Sequence, residues 1–399
     1  MFDIIKFIDS QPKYDKIIDQ ILGSKSTYIY NSANTIQKLL TYKLFKKTNK
    51  TIVVVYPNIF EASKAYEDYL ELTEADQISF FPVEELVASE LIASSNTYRL
   101  ERIKTIFKII NNIPQIIITS VEGITRNVLN KERLQNSILK IKKGHIYTRN
   151  RLLNDLVIRG YQKVSIVETQ GTYSVRGSVI DIYPINIDNP VRIDFFDDEI
   201  EDIKIFDVTS QRSIEKMNEI HIYPFYDIVY SDDEIEKIKE RILETQPYNE
   251  KTMSVIQNIE QHFQLDQLYL YLPYIDPNYQ TFTDLIVDKI IIVSNYVKAI
   301  DKEQLNYNEL YEYISQTKFV PNMDFFKTMV QILAVNDKNV FFESFGVENK
   351  EINYDLSIDL QTSNNIEYNN YLSSMIKELK LNNKKTYIVT HYDDAKLKL

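Results

Sequence analysis

The chain contains no cysteine and no tryptophan, and among its 399 residues only seven are glycine and four are histidine. Without thiols there are no disulfides, no thiolate metal sites and no cysteine nucleophile, which fits a cytoplasmic setting. The histidines, His145, His221, His262 and His391, lie far apart and offer no metal-ligand spacing. No apolar run approaches the roughly 20 residues of a membrane span, so no membrane partner is expected. The start, MFDIIKFIDS, lacks the basic segment and long apolar stretch of a signal peptide. Positive charge is also short: 46 Lys and Arg against 57 Asp and Glu leave a formal net charge of −11. That balance opposes unassisted nucleic-acid binding, whose affinity comes largely from phosphate neutralisation. The local basic runs FKKTNK (45–50) and KIKKGHIYTRNR (140–151) read as solvated surface. A protein partner fits this charge better.

What is present is an ordinary globular composition, 44% hydrophobic and 26% charged, in a chain long enough for two to four domains. In the first third, TYIY (27–30), TIVVVYP (51–57), QISFFP (77–82) and QIIITS (115–120) read as short buried strands. Helical spacing separates them at 33–47, 59–72 and 96–112, which predicts a parallel α/β sheet. From about 133 the pattern changes. One helix, RNRLLNDLVIRG, ends at Gly160, and short strands follow: YQKVSIVE, TYSVRGSVIDIYP, PVRIDFF, EIEDIKIFDV and NEIHIYPF. They predict an antiparallel meander. Helical pattern returns after 229 with DDEIEKIKERILE, and KIIIVSNY (289–296) and NVFFESF (339–345) are expected to complete the first sheet. The division is therefore 1–132 and 229–350 for one α/β layer and 133–228 for an α+β domain. Residues 351–399 are expected to start a further α/β unit that the chain leaves incomplete.

Enzymatic chemistry is hard to find. A mononucleotide-binding fold would put its phosphate loop at 30–37, with glycines to cradle phosphate and a lysine to pair with it. The turn reads YNSANTIQ, without either residue. Gly23-Ser24-Lys25-Ser26 precedes the strand instead of following it, and KIIIVSNY ends in Ser294-Asn295, not in magnesium-binding acids. No serine–histidine–acid or metalloprotease spacing occurs. No nucleotide, metal or other cofactor is expected in this chain. The tyrosines and phenylalanines, 29 and 19, could stack single-stranded DNA. They fit core-edge roles better, given the acidic balance.

One stretch, VRIDFFDDEI (191–200), stands apart. Strand side chains alternate between faces, so Phe195 inward with Val191 and Ile193 puts Phe196 outward beside Arg192 and Asp194. An outward phenylalanine between charged residues suggests an interface. Arg176 is harder to place: its parity partners Ile180 and Ile182 are apolar, so that face is mixed or a bulge intervenes, and Gly177 next to it is compatible with such a bulge.

The region 157–224 resembles the UvrB-homology region of the bacterial transcription-repair coupling factors, the Mfd family. The resemblance rests on GYQKVSIV (160–167), GTYSVRGSVIDIYP (171–184), RIDFFDDEI (192–200) and FDVTSQRS (206–213). Weaker echoes are FFPVEE with RLERI (80–103) and LYLPYI (270–275). Thr172, Ser178 and Asp197 depart from the glutamate and glycines common there. The resemblance implies a degenerate RecA-like, P-loop-type layer and a UvrA-binding second domain, with contact residues on Arg176, Arg192 and Phe196, and Asp194 on the same face. It also implies that RNA polymerase and double-stranded DNA are partners of the longer protein. Its ATP- and Mg²⁺-dependent translocase would lie beyond residue 399. A degenerate helicase or nucleotidase domain and a UvrB-like DNA-binding scaffold are the competing readings; nucleotide titration separates the first from a docking module.

Overall fold

A computed structural model of the chain describes residues 12–30, 32–84, 96–263, 266–318, 320, 325–343 and 353–355. Its first strands are β1 (Ser26–Tyr30), β2 (Thr51–Tyr56), β3 (Ile78–Phe81) and β4 (Ile116–Ser120). They alternate with helices α1 (Pro12–Gly23), α2 (Asn34–Thr48), α3 (Ile59–Leu70) and α4 (Asn96–Ile110). Far along the chain, β15 (Lys289–Ser294), β16 (Asn339–Glu343) and β17 (Asn353–Asp355) join the same sheet. Its order is β17-β1-β16-β15-β2-β4-β3, and every pairing is parallel.

All six residues of β2 are buried, as a strand covered on both faces requires. Alternate residues divide between two apolar clusters. Ile52, Val54, Ile290 and Ile292 pack with Ile17 of α1, Leu40 of α2 and Tyr69 of α3. Val53, Val55, Ile291 and Val293 pack with Ile106 and Phe107 of α4 on the opposite face. Residues 289–293 thus pair directly with 51–55 at the centre of the sheet. The strand at 353–355 adds to its edge beside β1, while the helix and strand expected at 366–380 and 384–399 lie outside the described residues.

Between these two sets of strands lie the shorter ones. They are β5 (Asn127–Val128), β6 (Leu139–Lys142), β7 (Gln162–Lys163), β8 (Thr172–Arg176) and β9 (Val179–Tyr183). Next come β10 (Val191–Phe196), β11 (Glu199–Phe206), β12 (Ser213–Met217), β13 (Glu219–Ile222) and β14 (Gln280–Thr281). Strands β8 to β12 form the antiparallel meander predicted from their alternation. Two strands differ from expectation. Only two residues of YQKVSIVE are extended, and they join β8 in parallel, because Gly160 and Gly171 turn the chain tightly on either side. NEIHIYPF leaves the meander and pairs with β6. Helix α5 (Arg149–Ile158) packs Leu152 and Leu156 into the core of the meander, and Gly160 follows its C-cap at φ +86°, where glycine carries no steric penalty.

The segment that follows β13 is tied to the large sheet through α4. Arg102 donates from Nε and Nη2 to Oδ2 of Asp227 at 2.9 and 2.5 Å. Phe107 stacks on Tyr223 with ring centroids 4.1 Å apart. Among the described residues no helix is long and apolar enough to cross a membrane.

Candidate functional site

Strand β10 alternates as its sequence requires. Val191, Ile193 and Phe195 enter the core with Ile180, Ile182, Ile200 and Ile203. Arg192 and Asp194 are partly covered on the other face, and Phe196 is 69% exposed. A register shift between Asp194 and Phe195 leaves Glu201 of β11 as the extra residue, so the alternation of β10 itself is intact. A phenylalanine left largely in water forgoes about 2 kcal/mol of burial that its neighbour Phe195 gains.

The position of Arg176 is settled by a turn instead of a bulge. TYSVRGSVIDIYP is a hairpin: β8 ends at Arg176, Gly177 turns at φ +61°, and Arg176 pairs with Val179. Parity therefore restarts after Ser178. Arg176 falls on the outer face with Ser174, and Asp181 on that face pairs across to Arg192. The face is organised around this aspartate, which is 1% exposed. Arg192 donates from Nε to Oδ1 of Asp181 at 2.7 Å and from Nη2 to Oδ2 at 2.9 Å. Arg176 donates from Nη2 to the same Oδ2 at 2.5 Å. Arg192 also stacks its guanidinium over the ring of Phe206, 4.6 Å from the centroid. Its side chain is only 21% exposed, whereas that of Arg176 is 53% exposed.

The candidate residues thus share a face: Phe196 and Arg176 are exposed to solvent, and Arg192 is partly covered and ion-paired to the buried Asp181. Charge reversal at Arg192 would set a second carboxylate against Asp181, so that variant reads folding as well as docking. Asp181 and Phe206 were missed from sequence, though Asp181 had a signal: it is the lone acid in the apolar run VIDIY.

Asp194 is held by Lys204, Nζ to Oδ2 at 2.5 Å, and Lys204 also lies 3.4 Å from Asp202. Asp202 gathers two further cations, Lys216 at 2.8 Å and Lys143 at 3.1 Å. The hydrogen bond from Lys216, with those from Lys143 and Lys204, outweighs burial and holds the Asp202 carboxyl well below the usual carboxylate range. A depressed native value means the cluster stabilises the fold above the unfolded value, about pH 4, and loses that contribution as pH falls. The melting gap between wild type and Asp202→Asn should therefore be widest near neutrality, begin to narrow at about pH 4 and shrink progressively as pH falls further toward the depressed native value. A gap independent of pH would contradict this.

At the hairpin tip, Asp197 adopts φ +52°, the left-handed conformation for which glycine is the usual solution. Aspartate is among the few other residues that tolerate it, and it leaves Phe196 paired with Glu199 at the end of β10.

The turn after β1 has a different character. Gln37 donates from Nε2 to the carbonyl and hydroxyl of Ser32 at 3.0 and 3.1 Å, and accepts from Ser294 Oγ at 3.0 Å. All three residues are buried, so the polar groups at the ends of β1 and β15 are satisfied by each other. Lys25 donates to the Ala334 carbonyl at the opposite, N-terminal end of the strands, where Gly23-Ser24-Lys25-Ser26 leads into β1.

Residues 139–228 match the family of the UvrB interaction domain. The Transcription-repair-coupling factor of Bacillus subtilis (strain 168) is 31% identical over 243 residues, 61% of this chain and 21% of the relative. Those of Staphylococcus aureus strains bovine RF122 / ET3-1 and USA300 are each 27% identical over 225 residues, 56% of this chain and 19% of the relative. The matches span about a fifth of the length of these curated relatives. They bear out the resemblance carried by the motifs between residues 157 and 224.

Proposed function

We propose that this chain is the UvrA-docking module of a transcription-repair coupling factor, and that the outer face of the β8–β12 sheet is the docking surface. The observation that carries the reading is the exposure of Phe196 at the tip of a hairpin, inside the segment that matches the UvrB interaction domain. Aromatic and arginine side chains are the commonest interface anchors. Phe196 supplies area for desolvation, and Arg176 offers a half-exposed guanidinium suited to a carboxylate rim. Asp181 and Arg192 keep that face rigid, so little conformational freedom is lost on docking.

In the longer protein, such a module would bring UvrA to RNA polymerase stalled on damaged double-stranded DNA. The ATP- and Mg²⁺-dependent motor would lie outside this chain, in the same cytoplasmic protein. Purified UvrA titrated against the chain, without DNA or nucleotide, should give saturable binding. Absence of binding at tens of micromolar would sink the proposal.

A nucleotide-binding role is disfavoured by the turn at 30–37, which has neither glycine nor lysine and where the Gln37 side chain joins Ser32 to Ser294. Calorimetric titration with Mg²⁺-ATP is expected to show no heat of binding. Micromolar affinity would contradict this.

A further inference from the structure

A second apolar side chain stands beside Phe196. Ile146, in the basic segment 140–151, is 83% exposed and forms an isolated antiparallel bridge to Glu199. Tyr147 donates its backbone N–H to the Asp198 carbonyl at 2.7 Å, and Ile200 donates to the His145 carbonyl at 3.0 Å. These bonds flank the pair of Ile146 and Glu199 and make it a non-hydrogen-bonded one, in which the two side chains lie close on one face. Glu199 pairs on its other side with Phe196. Phe196, Glu199 and Ile146 therefore form one row across the outer face, with the two apolar ends about 10 Å apart. Arg149, three residues on, donates to the Gly177 carbonyl at 2.5 Å and ties the same segment to the turn that presents Arg176.

We infer that Ile146 is a second anchor of the UvrA-docking surface, and that the segment 144–149 is its third loop, beside the turns at 177–178 and 197–198. This inference rests on the docking reading of the outer face. A β-branched apolar residue held in extended backbone, yet left in water, gains nothing from the fold itself. Continuity with Phe196 in one row makes the two side chains a single apolar strip, interrupted by Glu199 and bordered by the cations of Arg176 and Arg149. The partner surface it fits is an apolar socket with an acidic rim.

UvrA is titrated against wild type, Ile146→Asp, Ile146→Ser, Phe196→Ala and, as a control, Val287→Asp, which alters an equally exposed residue just before β15. Each variant is also melted. The expected result is a loss of about tenfold or more for Ile146→Asp and about 30-fold or more for Phe196→Ala, with wild-type melting and no loss for Val287→Asp. If Ile146→Asp melts early, Ile146→Ser decides by the same criterion. Wild-type affinity in the well-folded Ile146 variant while Phe196→Ala binds weakly would overturn the role of Ile146 and leave the docking face standing. Wild-type affinity in both would overturn the docking face, and the inference with it. A loss as large for Val287→Asp would remove the inference too, since the effect would not be local.

Discussion

Replacing Phe196 with alanine is expected to weaken UvrA binding about 30-fold or more, while the melting temperature of the chain stays at the wild-type value. The separation of the two effects follows from alternation along β10. Phe195 and not Phe196 fills the core, and Phe196 is 69% exposed, so truncation removes little folding energy. On docking the same ring passes from water into contact, and an anchoring aromatic loses about 2 kcal/mol or more when truncated, which corresponds to the stated change in Kd. Titration by calorimetry beside a thermal melt reads both quantities. A melt far below wild type would place the ring in the core. Wild-type melting with wild-type affinity would remove Phe196 from the interface.

The opposite pattern is expected for Asp181→Ala, in which folding is the larger loss. Asp181 is buried and accepts from both Arg192 and Arg176. Removing it leaves the Arg192 guanidinium, itself mostly covered, without its carboxylate. Breaking a buried pair from one side costs about 3–5 kcal/mol, because the remaining charge has lost its partner but not its burial. Arg176 is half-exposed and recovers hydration, so it adds little to that cost. Denaturant unfolding should show the drop. The double variant Asp181→Leu with Arg192→Met should recover much of it, since apolar replacement of both members removes the stranded charge. An unchanged stability for Asp181→Ala would mean that the row of charges contributes nothing to the sheet.

The alternation that exposes Phe196 could be read directly from VRIDFF, because a strand with one buried face has a strict period of two. The central strands of the large sheet were as plain, since TIVVVY and KIIIVS carry unbroken apolar centres, IVVV and IIIV, as burial on both faces demands. Strand neighbours were not. The stretch TYSVRGSVIDIYP accommodates either a bulged strand or a hairpin, and only the turn at Gly177 and Ser178 brings Asp181 beside Arg192. That pairing sets how far each arginine is exposed, Arg192 less than Arg176. Ile146 left no periodic signal at all, because it joins the sheet through one isolated bridge in a segment whose lysines and arginines read as solvated surface. Residues placed by turn geometry or by an isolated bridge were therefore the ones that sequence left open.

The central claim, that the outer face of the β8–β12 sheet takes up UvrA, is tested most directly by competition. The resemblance to UvrB implies that UvrB docks on UvrA through a face of the same kind, so the two proteins would use one site. UvrA held at a fixed concentration with fluorescently labelled chain should release it as unlabelled UvrB is added, and the Phe196→Ala chain should compete poorly in the reverse experiment. A stable ternary complex, in which labelled chain and UvrB both remain on UvrA at saturation, would contradict the account.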